Sequence, residues 1–109
     1  MMTNTELLQP LNEILARAQK LMHLAQIEEW QAMEDQAAQY QQHVAFLNDE
    51  VYLQAINAAH LTSEAKDIIA QIQAVNNSVD IYASLRRDKI ASDLRQVLQA
   101  GKAKKAYRQ

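Results

Sequence analysis

Apolar residues recur at alternating intervals of three and four along most of the chain, the spacing of one face of an α-helix. Leu8, Leu11, Leu15, Ala18, Met22 and Ala25 form the first such series, and Leu7, Ile14 and Leu21 widen it. This predicts an amphipathic helix from about Gln9 to Ala25 that packs against other helices. Pro10 suits the first helical turn, where its missing N–H is not needed; a start at Thr5 with a kink at the proline is the alternative. Trp30, Met33, Ala37, Tyr40, Val44, Leu47 and Val51 form the second series. They predict a helix opening near Glu28, with Glu28 and Glu29 where a helix N-terminus favours negative charge. No glycine separates these two helices. Asn48-Asp49 is a candidate break, which leaves residues 50–60 as a short helical extension or an irregular turn.

The third series is the longest. Thr62 and Ser63 are candidate N-caps, Glu64 falls in the first turn, and Gly101 is a candidate C-terminal stop. A helix between them would be roughly 55 Å long at ~1.5 Å per residue. Ile69, Ile72, Val75, Val79, Ala83, Arg86, Ile90, Leu94 and Val97 trace its seam. Asn76 and Arg86 roughen that seam, and Ile81 and Leu85 fall to one side. Because this helix far outlasts the first, part of its apolar seam has no partner within one chain. Homodimerisation or a bound client would cover Ile81, Leu85, Leu94 and Leu98. The fold expected is all-α: an antiparallel bundle of three main helices in one domain over residues 1–109, with a short basic tail at 102–109.

Composition narrows the class. Of 109 residues, 32 are alanine or glutamine, both good helix formers. One glycine and one proline leave no material for phosphate loops, dinucleotide fingerprints or tight hairpins. The absence of cysteine removes disulfides, thiol catalysis and Cys-type zinc sites. Met1 to Glu6 holds neither a basic region nor a long apolar run, so no targeting signal is expected. No stretch approaches the ~20 apolar residues of a membrane span, and a cytoplasmic location is expected.

The net charge of −2 conceals a polarity along the chain. Residues 1–67 carry ten acids and three bases, a net of −7, whereas residues 68–109 carry eight bases and three acids, a net of +5. Antiparallel packing would let the halves neutralise each other; a basic C-terminal end used for docking is the other reading. Nucleic acid is not an expected partner. Arg86, Arg87 and Lys89 cluster, but zinc-finger spacing and RNA-recognition aromatics are missing, and the acidic half would repel phosphate.

Catalytic and metal chemistry finds no constellation. His23, His43 and His60 lie on separate segments, and none follows a glutamate by three residues as in the di-iron bundle motif. Ser63, Ser78, Ser84 and Ser92 lack a glycine-flanked elbow. The adjacent acids Glu28/Glu29 and Glu34/Asp35 point in different directions on a helix and form no acid–base pair. The chain is read as a non-enzyme without a cofactor or metal. What remains is interaction chemistry, since long alanine-rich helices offer grooves to another amphipathic helix.

Three stretches together resemble the FliT family of flagellar export chaperones. Leu21 through Trp30 resembles the family's leucine-rich end of helix one followed by an acid-Trp pair opening helix two. Val75-Asn76-Asn77 through Leu85-Arg86-Arg87-Asp88-Lys89-Ile90 is similar to its long third helix. Leu98-Gln99-Ala100-Gly101 followed by Ala106-Tyr107 is similar to its glycine after that helix and its Ala-Tyr near the C-terminus. The similarity covers nearly the whole chain, and the order and spacing of the three stretches carry it.

The resemblance implies a cytosolic chaperone of type III flagellar export. Family members bind the C-terminal helical segment of the filament-cap protein FliD, prevent its premature assembly and deliver it to the export gate. The partners so implied are FliD, the cytosolic domain of the gate protein FlhA, and the export ATPase complex. Some enteric members also restrain the master flagellar activator. The family's C-terminal tyrosine, which contributes to gate docking, matches Tyr107; a tyrosine folded back on the bundle is the plain alternative. Trp30 is read as core, fixing the junction of helices one and two. The client groove is expected between regions two and three, with Val44, Leu47, Val75, Val79 and Tyr82 as candidates, each also readable as core. Family members often carry a masking fourth helix; eight residues follow Gly101, about two turns, so autoinhibition by a full helix is not expected. The alternative functions are a homodimeric helical adaptor and a small transcriptional regulator acting by protein–protein contact.

Overall fold

A computed structural model describes residues 3–108, with side chains described for residues 3–101. Four α-helices and one 3-10 helix follow in order: α1 (Asn4–Gln26), α2 (Trp30–Val44), the 3-10 helix (Ala45–Asn48), α3 (Glu50–Ala58) and α4 (Thr62–Arg108). No strand occurs among the described residues, and the all-α expectation holds. The chain divides into two compact units, Met1–Val79 and Asp80–Gln109, with the boundary inside α4.

α1 starts earlier than Gln9. The Thr3 hydroxyl oxygen accepts the Glu6 N–H at 3.1 Å and caps the helix. Pro10 therefore lies inside α1, where it cannot donate to the Glu6 carbonyl. Two apolar side chains that the longer helix supplies, Leu7 and Leu8, pack on the core and offset that loss.

The turn after α1 needs no glycine. Glu28 adopts φ 60, its N–H donates to the Ala25 carbonyl at 3.2 Å, and the Glu29 N–H donates to Leu24 at 2.9 Å. This is a Schellman stop built on a left-handed glutamate. Glu28 and Glu29 thus end one helix rather than fill the first turn of the next; Glu29 is the α2 N-cap and makes no side-chain capping bond. The same device ends α3: His60 has φ 59, its N–H donates to Asn57, and the Leu61 N–H donates to Ile56, both at 3.0 Å. The accompanying apolar contact is present, since Ile56 and Leu61 are both buried in one cluster.

The second region is two helices. After α2 the chain tightens into the 3-10 helix, and Asp49 breaks it by capping α3, its Oδ1 accepting the Tyr52 N–H at 3.1 Å. Residues 50–58 are helical, settling the choice between helix and irregular turn. The break rotates Val51 out of the predicted stripe, and it is 78% exposed. α4 begins as predicted at Thr62, but its N-cap is Leu61, whose carbonyl accepts the Ala65 N–H at 2.9 Å. The Thr62 hydroxyl instead donates to Asn57 Oδ1 at 3.4 Å. Gly101 does not stop α4, which continues to Arg108. The helix formers Leu98, Gln99 and Ala100 before Gly101, and the alanines and lysines after it, hold the helix against a cost of about 1 kcal/mol for one glycine.

Within residues 1–79 the core comprises two clusters. Leu11, Tyr52, Ile56, Leu61 and Ala65 form one, with Leu7, Leu8, Leu47, Ala59, Ile68 and Ile69 against it. Ile14, Ala18, Leu21, Tyr40 and Ile72 form the other, with Leu15, Met33, Ala37, Val44, Leu47, Ile68, Val75 and Val79 against it. The order of these contacts along α1, α2 and α4 is compatible with an up-down-up bundle. Two tyrosines anchor the clusters through their hydroxyls. Tyr52 donates to the Leu7 carbonyl at 2.6 Å, and Tyr40 donates to Asn76 Oδ1 at 2.9 Å. Trp30 belongs to neither cluster and is only partly buried, so it does not fill the core as predicted. It opens α2 directly after the Glu28 turn.

Candidate interaction surfaces

The predicted groove residues fall in two groups. Val44 and Leu47, at the end of α2 and in the 3-10 helix, and Val75 and Val79 on α4 all pack against the second cluster and are partly buried. The structure therefore brings these four to one cluster, where each contributes to core packing. Tyr82 belongs to the other unit and is also partly buried. Tyr107 lies outside the residues whose side chains are described.

Residues 80–101 present a long apolar surface to solvent. Ile81, Leu85, Ile90, Leu94, Val97 and Leu98 are each at least half exposed. At ~100° per residue, Ile90, Leu94, Val97 and Leu98 lie on one side of the helix, whereas Ile81 and Leu85 lie on another. Basic side chains are interspersed with them. Arg87 donates to the Ser84 hydroxyl at 3.0 Å, and Arg95 Nε donates to the Ala91 carbonyl at 3.3 Å. The four residues predicted to lack an intramolecular cover, Ile81, Leu85, Leu94 and Leu98, are all exposed.

A second surface lies at the junction of α1 with the segment from the end of α2 to α3, and the apolar pattern did not single it out. A cleft of about 500 Å³ is lined by residues including Pro10, Glu13, His43, Phe46 and Asp49. A neighbouring cleft of about 270 Å³ is lined by residues including Glu6, Pro10, Phe46, Val51 and Tyr52. Pro10, Phe46 and Asp49 are common to both. The Phe46 ring lies 4.4 Å from that of Tyr52 at 53°. Phe46 escaped notice because it lies off the α2 series, on the 3-10 helix that swings it toward Tyr52.

Burial pushes the Tyr52 phenol above the ordinary tyrosine range. Burial pushes the Tyr40 phenol up as well, and the Asn76 amide, able to turn its NH2 toward a phenolate, holds back part of that rise. Among the described residues, no group of three or more His, Asp or Glu side chains is placed to hold a metal ion. Among the same residues, no helix is long and apolar enough to cross a membrane.

Comparison with known proteins adds one finding. Neither curated proteins nor solved structures gave a match to the chain. A family model described as flagellar protein FliT matches residues 8–109, nearly the full length and all four helices. The helical fold and this match agree, and the chain belongs to the FliT flagellar protein family.

Proposed function

We propose that this chain is a cytoplasmic, non-enzymatic chaperone of type III flagellar export. It binds the C-terminal helical segment of the filament-cap protein FliD, keeps that segment from assembling early, and delivers it to the cytosolic domain of the export gate FlhA. The export ATPase complex is a further partner in this scheme. The match to the FliT family over residues 8–109 carries the reading. Its physical basis is burial: an apolar client helix shielded against an apolar groove cannot self-associate. In this scheme the exposed edges of Val44, Leu47, Val75 and Val79 form the client groove, and Tyr82, in the other unit, is a separate candidate for client contact. Tyr107 is the anchor for the gate.

Calorimetric titration with the C-terminal segment of the same organism's filament-cap protein, paired with light scattering, tests the proposal. A saturable one-to-one complex at about micromolar or tighter affinity is expected. Tyr107→Ala should then lose the gate domain and keep the client. No heat and no complex from a folded protein would overturn the client assignment.

A second reading, a homodimeric helical adaptor, is favoured by the exposed apolar side chains between Ile81 and Leu98. It requires self-association through those residues and no affinity for the cap protein.

A further inference from the structure

We infer that the paired clefts beside Pro10 and Phe46 form a docking groove for a cationic amphipathic helix of another protein. This groove is separate from the client residues named above, so the two proposals fail independently.

The floor of the groove is apolar. Pro10, Phe46, Val51 and Tyr52 line it, and the two clefts meet at Pro10, Phe46 and Asp49. Phe46 is 38% exposed and Val51 78% exposed, so both offer apolar area to a partner. The groove is also firmly held from beneath. The Tyr52 hydroxyl ties α3 to the Leu7 carbonyl of α1, and the Asp49 cap fixes the start of α3. An incoming side chain thus meets a formed surface, which lowers the ordering cost of binding.

The rim selects the occupant. Glu6, Glu13 and Asp49 line the clefts, and no lysine or arginine does among the described residues. Residues 1–67 as a whole carry a net charge of −7. A partner helix with leucine-like residues on one face and lysine or arginine flanking them matches both floor and rim. Its apolar residue sits over Phe46 and Val51, and its cations reach the Glu6 and Glu13 carboxylates. An acidic amphipathic helix of the same hydrophobicity meets repulsion at each rim position.

Amide shift mapping on the isotope-labelled full chain tests this. The probes are two synthetic amphipathic helices, one of leucine and lysine and one of leucine and glutamate. The expected result is saturable binding of the lysine peptide alone, with shifts centred on residues 6–14, Phe46 and residues 49–55 and none at Val75 or Val79. Val51→Lys places a like charge on the floor at an exposed position and should weaken that binding roughly tenfold with unchanged helical circular dichroism. Glu6→Gln with Glu13→Gln should weaken it by a similar factor. Equal binding of both peptides, shifts elsewhere, or indifference to Val51→Lys would overturn the proposal. So would shifts of the same residues on concentrating the protein alone, which would give the groove to a second copy of the chain.

Discussion

The Tyr40 hydroxyl on α2 donates to the Asn76 side chain on α4 at 2.9 Å. Asn76 interrupts the apolar seam of α4, and this bond explains its place there. It satisfies a buried phenol at the edge of the second core cluster. Tyr40→Phe should therefore destabilise the fold by about 1 kcal/mol, and Asn76→Ala by a comparable amount. Because both remove one bond, the double variant should fall short of the sum. Urea denaturation of the four proteins checks this.

The Tyr52–Leu7 bond at 2.6 Å ties α3 to α1 in the same way. Burial raises the phenol above its ordinary value, so the folded state disfavours the phenolate. The unfolded chain then ionises first as pH rises. The stability from Tyr52 and Tyr40 is fully present below about pH 10 and is lost above it. Thermal melts between pH 8 and 11 should show a fall beginning near the upper end. Tyr52→Phe should begin less stable by about 1 kcal/mol and show a shallower alkaline decline.

Two helix stops rest on left-handed residues other than glycine, Glu28 at φ 60 and His60 at φ 59. An L-residue there carries a cost of roughly 1–2 kcal/mol, part of which glycine returns as unfolded-state entropy. Glu28→Gly and His60→Gly should each raise stability by about 0.5–1 kcal/mol. Alanine at either position should not. Melting temperatures of the single variants decide it.

α4 allows a contrast within one element. Ile72 is 1% exposed and Ile90 is 50% exposed. Ile72→Ala should cost about 2–5 kcal/mol, whereas Ile90→Ala should remain within about 0.5 kcal/mol in a monomer. If a dimer covers Ile90, the second variant will instead weaken self-association, readable by sedimentation.

Gly101 lies within α4, and a Cβ added there meets nothing within 4 Å. Gly101→Ala should therefore raise helicity and stabilise the end of α4 by up to about 1 kcal/mol. A glycine acting as a left-handed stop would have given the opposite sign. Circular dichroism at low temperature separates the two.

The spacing of apolar residues by itself determined the all-α class, the stripe of α1, the face of α2 from Met33 to Val44, and the exposed apolar residues of α4 beyond Asp80. Those properties follow from periodicity, because a helix exposes its neighbours every three or four residues whatever it packs against. Tertiary structure decided the rest. Helix ends formed where Glu28 and His60 accept a left-handed backbone, and no residue type signalled either. Val51 left the apolar face because a capping bond from Asp49 restarted the helix in a new register. Trp30 ended partly buried at the start of α2, beside the Glu28 turn and outside both core clusters. The Pro10–Phe46 groove joins residues more than thirty positions apart, and its shape exists only once α1 and α3 are locked together through Tyr52 and Leu7. Periodicity records which side of a helix is apolar; only packing determines whether that side meets the core, a partner or water.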